Sequence, residues 1–218
     1  MMSVKIISYS QPPAGSELSD DLLQMVAYCA RVSNPGNQIN EATSEKLVKY
    51  LIKHQHWSPL EMVSACLEID TTRDIGRQLL RHRSFSFQEF SQRYADPTKD
   101  MAFIRRGARL QDPKNRQNSI DAAPQVVQDL WDIKQQEVIN KAREVYEWAI
   151  KEGIAKEQAR SVLPEGNTMS RLYVNGTLRS WIHYIQLRAA NGTQQEHMDI
   201  AKAVGKVIYE IFPLDDII

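Results

Sequence analysis

The chain has 218 residues, 27 Lys+Arg against 27 Asp+Glu, and 42% hydrophobic residues. That suits one soluble globular domain of about 150 to 250 residues. Zero net charge argues against a general nucleic-acid coat, which needs a basic excess to displace counterions. No apolar run reaches the ~18 residues of a membrane span. Met1 to Tyr9 lacks the apolar core and small-residue cleavage site of an export signal, so a cytoplasmic protein is expected.

Ser19 before Asp20 and Asp21, followed by Leu22, Leu23, Met25, Val26, Cys29 and Ala30, predicts a capped helix that stops before Asn34-Pro35-Gly36. Asn40 to His54 repeats helical spacing, and Trp57-Ser58-Pro59 forces a loop. From Met62 to Ile69 the period is two, placing Val63, Ala65, Leu67 and Ile69 on one face of a strand. Thr71 to about Arg81 reads as a helix with Thr72 as its cap, and Phe85 to Tyr94 as extended chain. The polar stretch Arg105 to Ala122, with Gly107 and Pro113, predicts a mobile loop. Ala123 to Lys151 predicts a helix roughly 43 Å long. A shorter helix ends near Leu163-Pro164, a strand spans Thr168 to Asn175, and helices cover Leu178 to Arg188 and Gln194 to Phe212. Because helices and strands do not alternate as βαβ units, the expected class is α+β, a small mixed or antiparallel sheet packed with several helices, in one domain.

The densest chemical signal lies between Thr71 and Arg93, where Arg73, Arg77, Arg81, Arg83 and Arg93 face only Asp74 and Glu89, without a lysine. Arginine suits bidentate phosphate recognition. On a continuous helix Arg77, Gln78 and Arg81 would be neighbours, while Arg83 would point about 200° away from Arg81. Phe85, Phe87, Glu89, Ser91 and Arg93 would share one face of an extended segment, suited to a polar heterocycle and a phosphate, although an exposed polar strand face explains that spacing equally well.

Arg81-His82-Arg83, seven residues and Ser91, with Glu89 and Arg93-Tyr94 in register, resembles the signature of the flavin-dependent thymidylate synthases. His54-Gln55-His56-Trp57-Ser58-Pro59-Leu60-Glu61, Ala159-Arg160-Ser161-Val162-Leu163-Pro164 and Leu187-Arg188-Ala189 resemble further blocks of that family in the expected order. The resemblance implies methylation of dUMP to dTMP, with methylenetetrahydrofolate as carbon donor, NADPH as reductant, a bound FAD and a homotetramer. It implies FAD contacts for Ser58, Arg81, His82, Arg83, Glu89, Thr177, Arg179 and His183. It implies dUMP contacts for Gln78, Leu79, Leu80, Arg81, Glu89, Phe90, Ser91, Gln92, Arg93, Arg160 and Arg188, with Arg188 catalytic. Neither a metal nor nucleic acid is expected as a partner. Without the resemblance, an arginine-rich nucleotide- or nucleic-acid-binding module stays open, and within enzymes a flavoprotein reductase acting without folate.

Other residues have plainer readings. Ser91 lacks an adjacent base and reads as a phosphate donor rather than a nucleophile. Cys29 and Cys66 read as packing residues, and Trp131, Trp148 and Trp181 as core. The His54/His56 pair lacks a carboxylate partner for a metal. His197 reads as a surface or partly buried histidine, Asn191-Gly192 as a turn, and Arg171 and Arg179 as solvated or facing a partner subunit.

Overall fold

A computed structural model describes residues 2–18 and 20–214. Its centre is an antiparallel sheet in the order β1-β2-β6-β3, formed by β1 (Ser3–Tyr9), β2 (Ser64–Thr72), β3 (Ser86–Glu89) and β6 (Met169–Thr177). The fold is therefore α+β with an antiparallel sheet. The period-two reading of β2 holds, since Val63, Ala65, Leu67 and Ile69 are all buried. The N-terminal edge strand was not expected. It is only half covered, and its register on β2 shifts between Ile6 and Ser8, a bulge that leaves Ile7 exposed.

The apolar sheet face packs against α1 (Leu22–Ala30), α2 (Ser44–Lys53), α7 (Leu178–Arg188) and α8 (Gln195–Ile211) in one continuous core that includes Val26, Val48, Leu172, Trp181 and Val204. Trp181 donates its indole N–H to the Ala65 carbonyl at 3.1 Å, tying α7 to β2. The opposite sheet face is polar. Arg171 bonds Asp70 at 2.7 and 2.9 Å and lies 3.3 Å from Glu68, so it is an ion-paired sheet residue rather than a free surface cation. Lys5 on β1 completes the ladder at 2.9 Å from Glu68.

The cap of α1 is Asp21, which accepts from Leu23 N at 2.7 Å; the expected cap Ser19 lies outside the described residues. The expected helix to Arg81 is shorter: α3 spans Arg73–Leu79, and Thr72 takes an extended conformation before it without a side-chain cap bond. Instead the Thr72 hydroxyl donates to Asp74 Oδ1 at 2.6 Å. β3 likewise ends at Glu89, because the chain turns at once: Ser91 Oγ accepts from Arg93 N at 3.3 Å and Ala95 N bonds the Ser91 carbonyl. The expected straight row Glu89-Ser91-Arg93 is therefore broken. A single turn, α4 (Pro97–Asp100), follows.

The stretch 105–122 is ordered rather than a loose loop. It carries the hairpin β4 (Leu110–Gln111) and β5 (Ser119–Ile120). Two glutamines of α5 (Gln125–Lys151) pin its approach. Gln128 exchanges two bonds with the Ala108 backbone at 2.8 and 2.9 Å, and Gln135 does the same with Arg106 at 2.9 and 2.8 Å. Their seven-residue spacing puts both amides on one side of α5. That same side buries Ile139, Ala142, Tyr146 and Ala149, of which Tyr146 and Ala149 cluster with Ala159 of α6 (Lys156–Ala159) and Leu163. Of the three tryptophans expected in the core, Trp181 is there, whereas Trp131 and Trp148 on α5 are 46% and 57% exposed.

Candidate active site

The C-terminal ends of α3 and α7 meet the start of α8, and this junction gathers Gln78, His82, Arg188, Tyr184 and His197. Arg188 Nε donates to His82 Nε2 at 3.0 Å. His82 therefore accepts at Nε2 and carries its proton on Nδ1. Burial, then the cations Arg188 and Arg81, depresses its pKa and keeps it neutral. The His82 ring stands edge-on to Tyr184 at 5.1 Å and to His197 at 6.3 Å. His197 is fully buried, beyond the surface or partly buried position expected, and its pKa is depressed to about 4 chiefly by burial, with Arg188 and His82 adding. Gln78 bonds His197 Nδ1 at 3.1 Å and Gln194 at 2.8 Å.

A second group surrounds Glu89. Its Oε1 accepts from Arg73 at 3.3 Å and Ser170 at 3.1 Å, and its Oε2 accepts from Arg77 at 3.2 Å. Arg73, itself buried, also bonds Glu165 at 3.2 Å. Glu89, Phe90 and Ser91 then line a cleft of about 320 Å³ with Arg171 and Tyr173. Gln92 is buried, and its amide nitrogen has no partner among the described residues.

The third group lies at the other end of α7. Trp57 and His183 meet edge to face with ring centroids 4.3 Å apart, beside exposed Ser58. Burial, then Arg179, lowers the His183 pKa. Arg179 is paired with Glu61, and Thr177 caps α7 by accepting from Ser180 N at 3.3 Å.

Several expected residues stand apart within one protomer. Arg93 lies 3.5 Å from Glu157 on α6, three residues before Arg160, whereas Arg188 bonds His82. The Leu79 side chain is in the core, which leaves only its backbone for a ligand, and Leu80 is half-buried. Arg81, Arg83 and Arg160 have no ion pair among the described residues. Two unpaired guanidiniums flanking a neutral imidazole, near an aromatic edge, suit the diphosphate and ring of a dinucleotide cofactor. The helix break at Leu79 is what separates Arg81 from Arg83, rather than opposite faces of one helix.

Sequence reasoning missed Arg106, Arg109, Gln194 and Glu196, and it gave Arg73 no partner. Arg106 grips Asp74 through two bonds at 2.9 and 2.7 Å, and Arg109 grips Glu196 at 2.5 Å. His197 was legible as buried, because it falls three and four residues before Ile200 and Ala201 on the core stripe of α8. Cys29 and Cys66 are free thiols with pKa values raised by burial, which disfavours the thiolate. His54 tilts against Tyr50 with ring centroids 4.2 Å apart, and His56 meets the same ring edge-on at 6.1 Å.

Comparison with known proteins gives a consistent picture. The family model described as thymidylate synthase complementing protein matches residues 17–214. A probable flavin-dependent thymidylate synthase of Paramecium bursaria Chlorella virus 1 is 47% identical over 213 residues, 97% of this chain and 96% of that protein. A flavin-dependent thymidylate synthase of Synechocystis is 46% identical over 215 residues, with 97% and 96% coverage. The fold is shared with a UMP/dUMP methylase, PolB, of Streptomyces cacaoi, crystallised with 5-bromo-dUMP, at a TM-score of 0.81 and 24% identity, covering 98% of this chain and 92% of that one.

Proposed function

The chain belongs to the flavin-dependent thymidylate synthases, and from that premise we propose that it methylates dUMP to dTMP, using methylenetetrahydrofolate as carbon donor and NADPH as reductant, with Arg188 activating the uracil. The observation that carries the role of Arg188 is its partner. An arginine held by a carboxylate spends its charge on that carboxylate. Arg188 is held through Nε by a neutral imidazole, which orients the guanidinium and leaves its full charge for a ligand. Bond formation at uracil C5 needs electron density there, and ionising the ring at N3 supplies it. A guanidinium beside the ring stabilises that anion throughout the reaction.

FAD is the cofactor that the family implies. Arg81, His82, Arg83, Ser58 and His183 would hold it, supported by the unpaired guanidiniums of Arg81 and Arg83 and by the aromatic edge of Trp57. When bound, it supplies the hydride that turns the transferred methylene into a methyl. Glu89 orients its two arginines beside the substrate, Ser91 donates its hydroxyl to the phosphate, and Arg93 and Arg160 add charge. Arg93 pairs with Glu157 and Arg188 with His82, with no contact between the two groups among the described residues, and in this reading a dUMP site using Arg93, Arg160 and Arg188 draws on more than one chain.

That reading favours a homotetramer. α5 supports it, since Val126, Leu130, Ile133 and Trp148 are exposed on the side opposite its buried Gln135, Ile139 and Tyr146. An apolar stripe of that extent on a helix is what a partner chain covers.

The test is Arg188→Ala in the FAD-loaded protein. We expect dTMP formation to vanish while anaerobic NADPH still bleaches the flavin. Loss of flavin reduction at unchanged fold and FAD content would contradict this role for Arg188.

A further inference from the structure

Glu196 opens a chain of hydrogen bonds that runs from the β4–β5 hairpin into the site. Arg109 donates to Glu196 Oε1 at 2.5 Å and to Ser119 Oγ at 3.0 Å. Gln194 Nε2 donates to Glu196 Oε2 at 3.0 Å, Gln78 Nε2 donates to Gln194 Oε1 at 2.8 Å, and Gln78 Oε1 lies 3.1 Å from His197 Nδ1. Each link constrains the next. The Glu196 carboxylate is buried and its pKa is lowered by the bonds from Arg109 and Gln194 despite the cost of burial, so it is ionised and can only accept. Gln194 must then turn its NH₂ toward Glu196 and its oxygen toward Gln78. Gln78 must turn its NH₂ toward Gln194 and its oxygen toward His197. His197 must therefore carry its proton on Nδ1, which leaves Nε2 bare, and that atom is buried without a partner.

We propose that Glu196, clamped by Arg109, fixes the direction of this chain and so presents the Gln78 amide to the nucleobase in a single orientation. Glu196, Gln194 and His197 are thus positioning residues. The inference rests on the reading above that Gln78 contacts dUMP. After its two internal bonds the Gln78 amide keeps one N–H at its nitrogen end and one lone pair at its oxygen end. Such a pair matches the alternating donors and acceptors along a pyrimidine edge only when its two ends are not exchanged. A flipped amide sets donor against donor.

Glu196→Gln tests this with little change of shape. The new amide accepts from Arg109 and donates to Gln194, which reverses every link and moves the His197 proton to Nε2. With only five histidines in the chain, ¹⁵N-histidine NMR of the FAD-loaded protein can read the tautomer. We expect Nδ1–H in the wild type, Nε2–H in Glu196→Gln, and a dUMP dissociation constant weakened roughly tenfold or more, at unchanged FAD content and oligomeric state. His197→Asn keeps a donor at the Nδ1 position and should bind dUMP normally, whereas His197→Leu should not.

An Nε2–H tautomer in the wild type, or one tautomer in both proteins, overturns the chain. A tautomer that switches without any change in dUMP affinity overturns its link to the base. In that last case Gln78→Ala separates the causes. Weakened binding there means that the orientation claim failed, and normal binding means that Gln78 is not a nucleotide contact.

Discussion

Arg188 and His82 form a cation–imidazole pair, Nε to Nε2 at 3.0 Å, in which the imidazole is the acceptor. The pair explains how a fully charged guanidinium is aimed without a counter-charge beside it. His82→Ala should lower kcat for dTMP about tenfold or more, the cost of one hydrogen bond to a charged group. His82→Gln, whose side-chain oxygen can accept from the same Nε, should recover part of the loss. Equal losses in the two variants would show that His82 does not act through Arg188.

Glu89 is the counter-ion that lets Arg73 be buried at the N-terminal end of α3. Glu89→Ala should destabilise the protein by about 2 kcal/mol or more, because it leaves two guanidiniums facing each other with only Glu165 to share. Urea unfolding of the FAD-loaded protein measures this. Unchanged stability would mean that Glu89 serves ligands alone.

His197 makes stability depend on pH. Its folded pKa of about 4 lies below the ordinary 6.5, so between those values the unfolded chain binds the proton that the folded chain refuses. Its contribution is complete above pH 6.5 and is lost as the pH falls toward 4, on the order of 3 kcal/mol over that window. The groups that face it are Gln78 from α3, His82 just beyond it, and Tyr184 and Arg188 from α7. His197→Asn should flatten this part of the stability profile relative to the wild type. A parallel profile would refute the assignment.

Gly176 on β6 lies under the Phe85 ring, where an added Cβ would come within 2.3 Å of Cδ1. Phe85 is itself packed on Trp181, with centroids 4.4 Å apart, so it has little room to yield. Gly176→Ala should cost about 1 to 3 kcal/mol and weaken FAD retention by displacing the segment next to Arg83. Thermal unfolding together with the bound-flavin absorbance would register both effects.

Much of this fold is legible in the sequence because burial and period coincide. The apolar residues of β2 alternate from Val63 to Ile69, and α7 spans Leu178 to Arg188 as the spacing predicts, with Thr177 as its cap. The edge strand β1 escaped because its apolar residues are only half covered and a bulge breaks their alternation. The 105–122 hairpin escaped for another reason. It is held by side-chain amides of Gln128 and Gln135, and a glutamine on a helix gives no sign that it will pair with backbone. In the site, the arginine-rich segment and Arg188 stand out by composition and motif. Glu165, which pairs with Arg73 and Arg77, and Glu196, which holds Arg109, are distant in sequence from their partners and carry no periodic signal. Trp131 and Trp148 mark the limit of hydrophobicity as a guide, since both stand at helical spacing with the core residues of α5 yet are largely exposed.

The measurement that bears most directly on the proposed reaction follows the carbon. FAD-loaded protein is incubated with dUMP, NADPH and methylenetetrahydrofolate labelled in its methylene group, and the nucleotide is isolated. We predict label in the methyl of dTMP, dependent on NADPH and absent in Arg188→Ala. NADPH oxidation with no label entering the nucleotide would contradict the account and make the protein a flavin reductase.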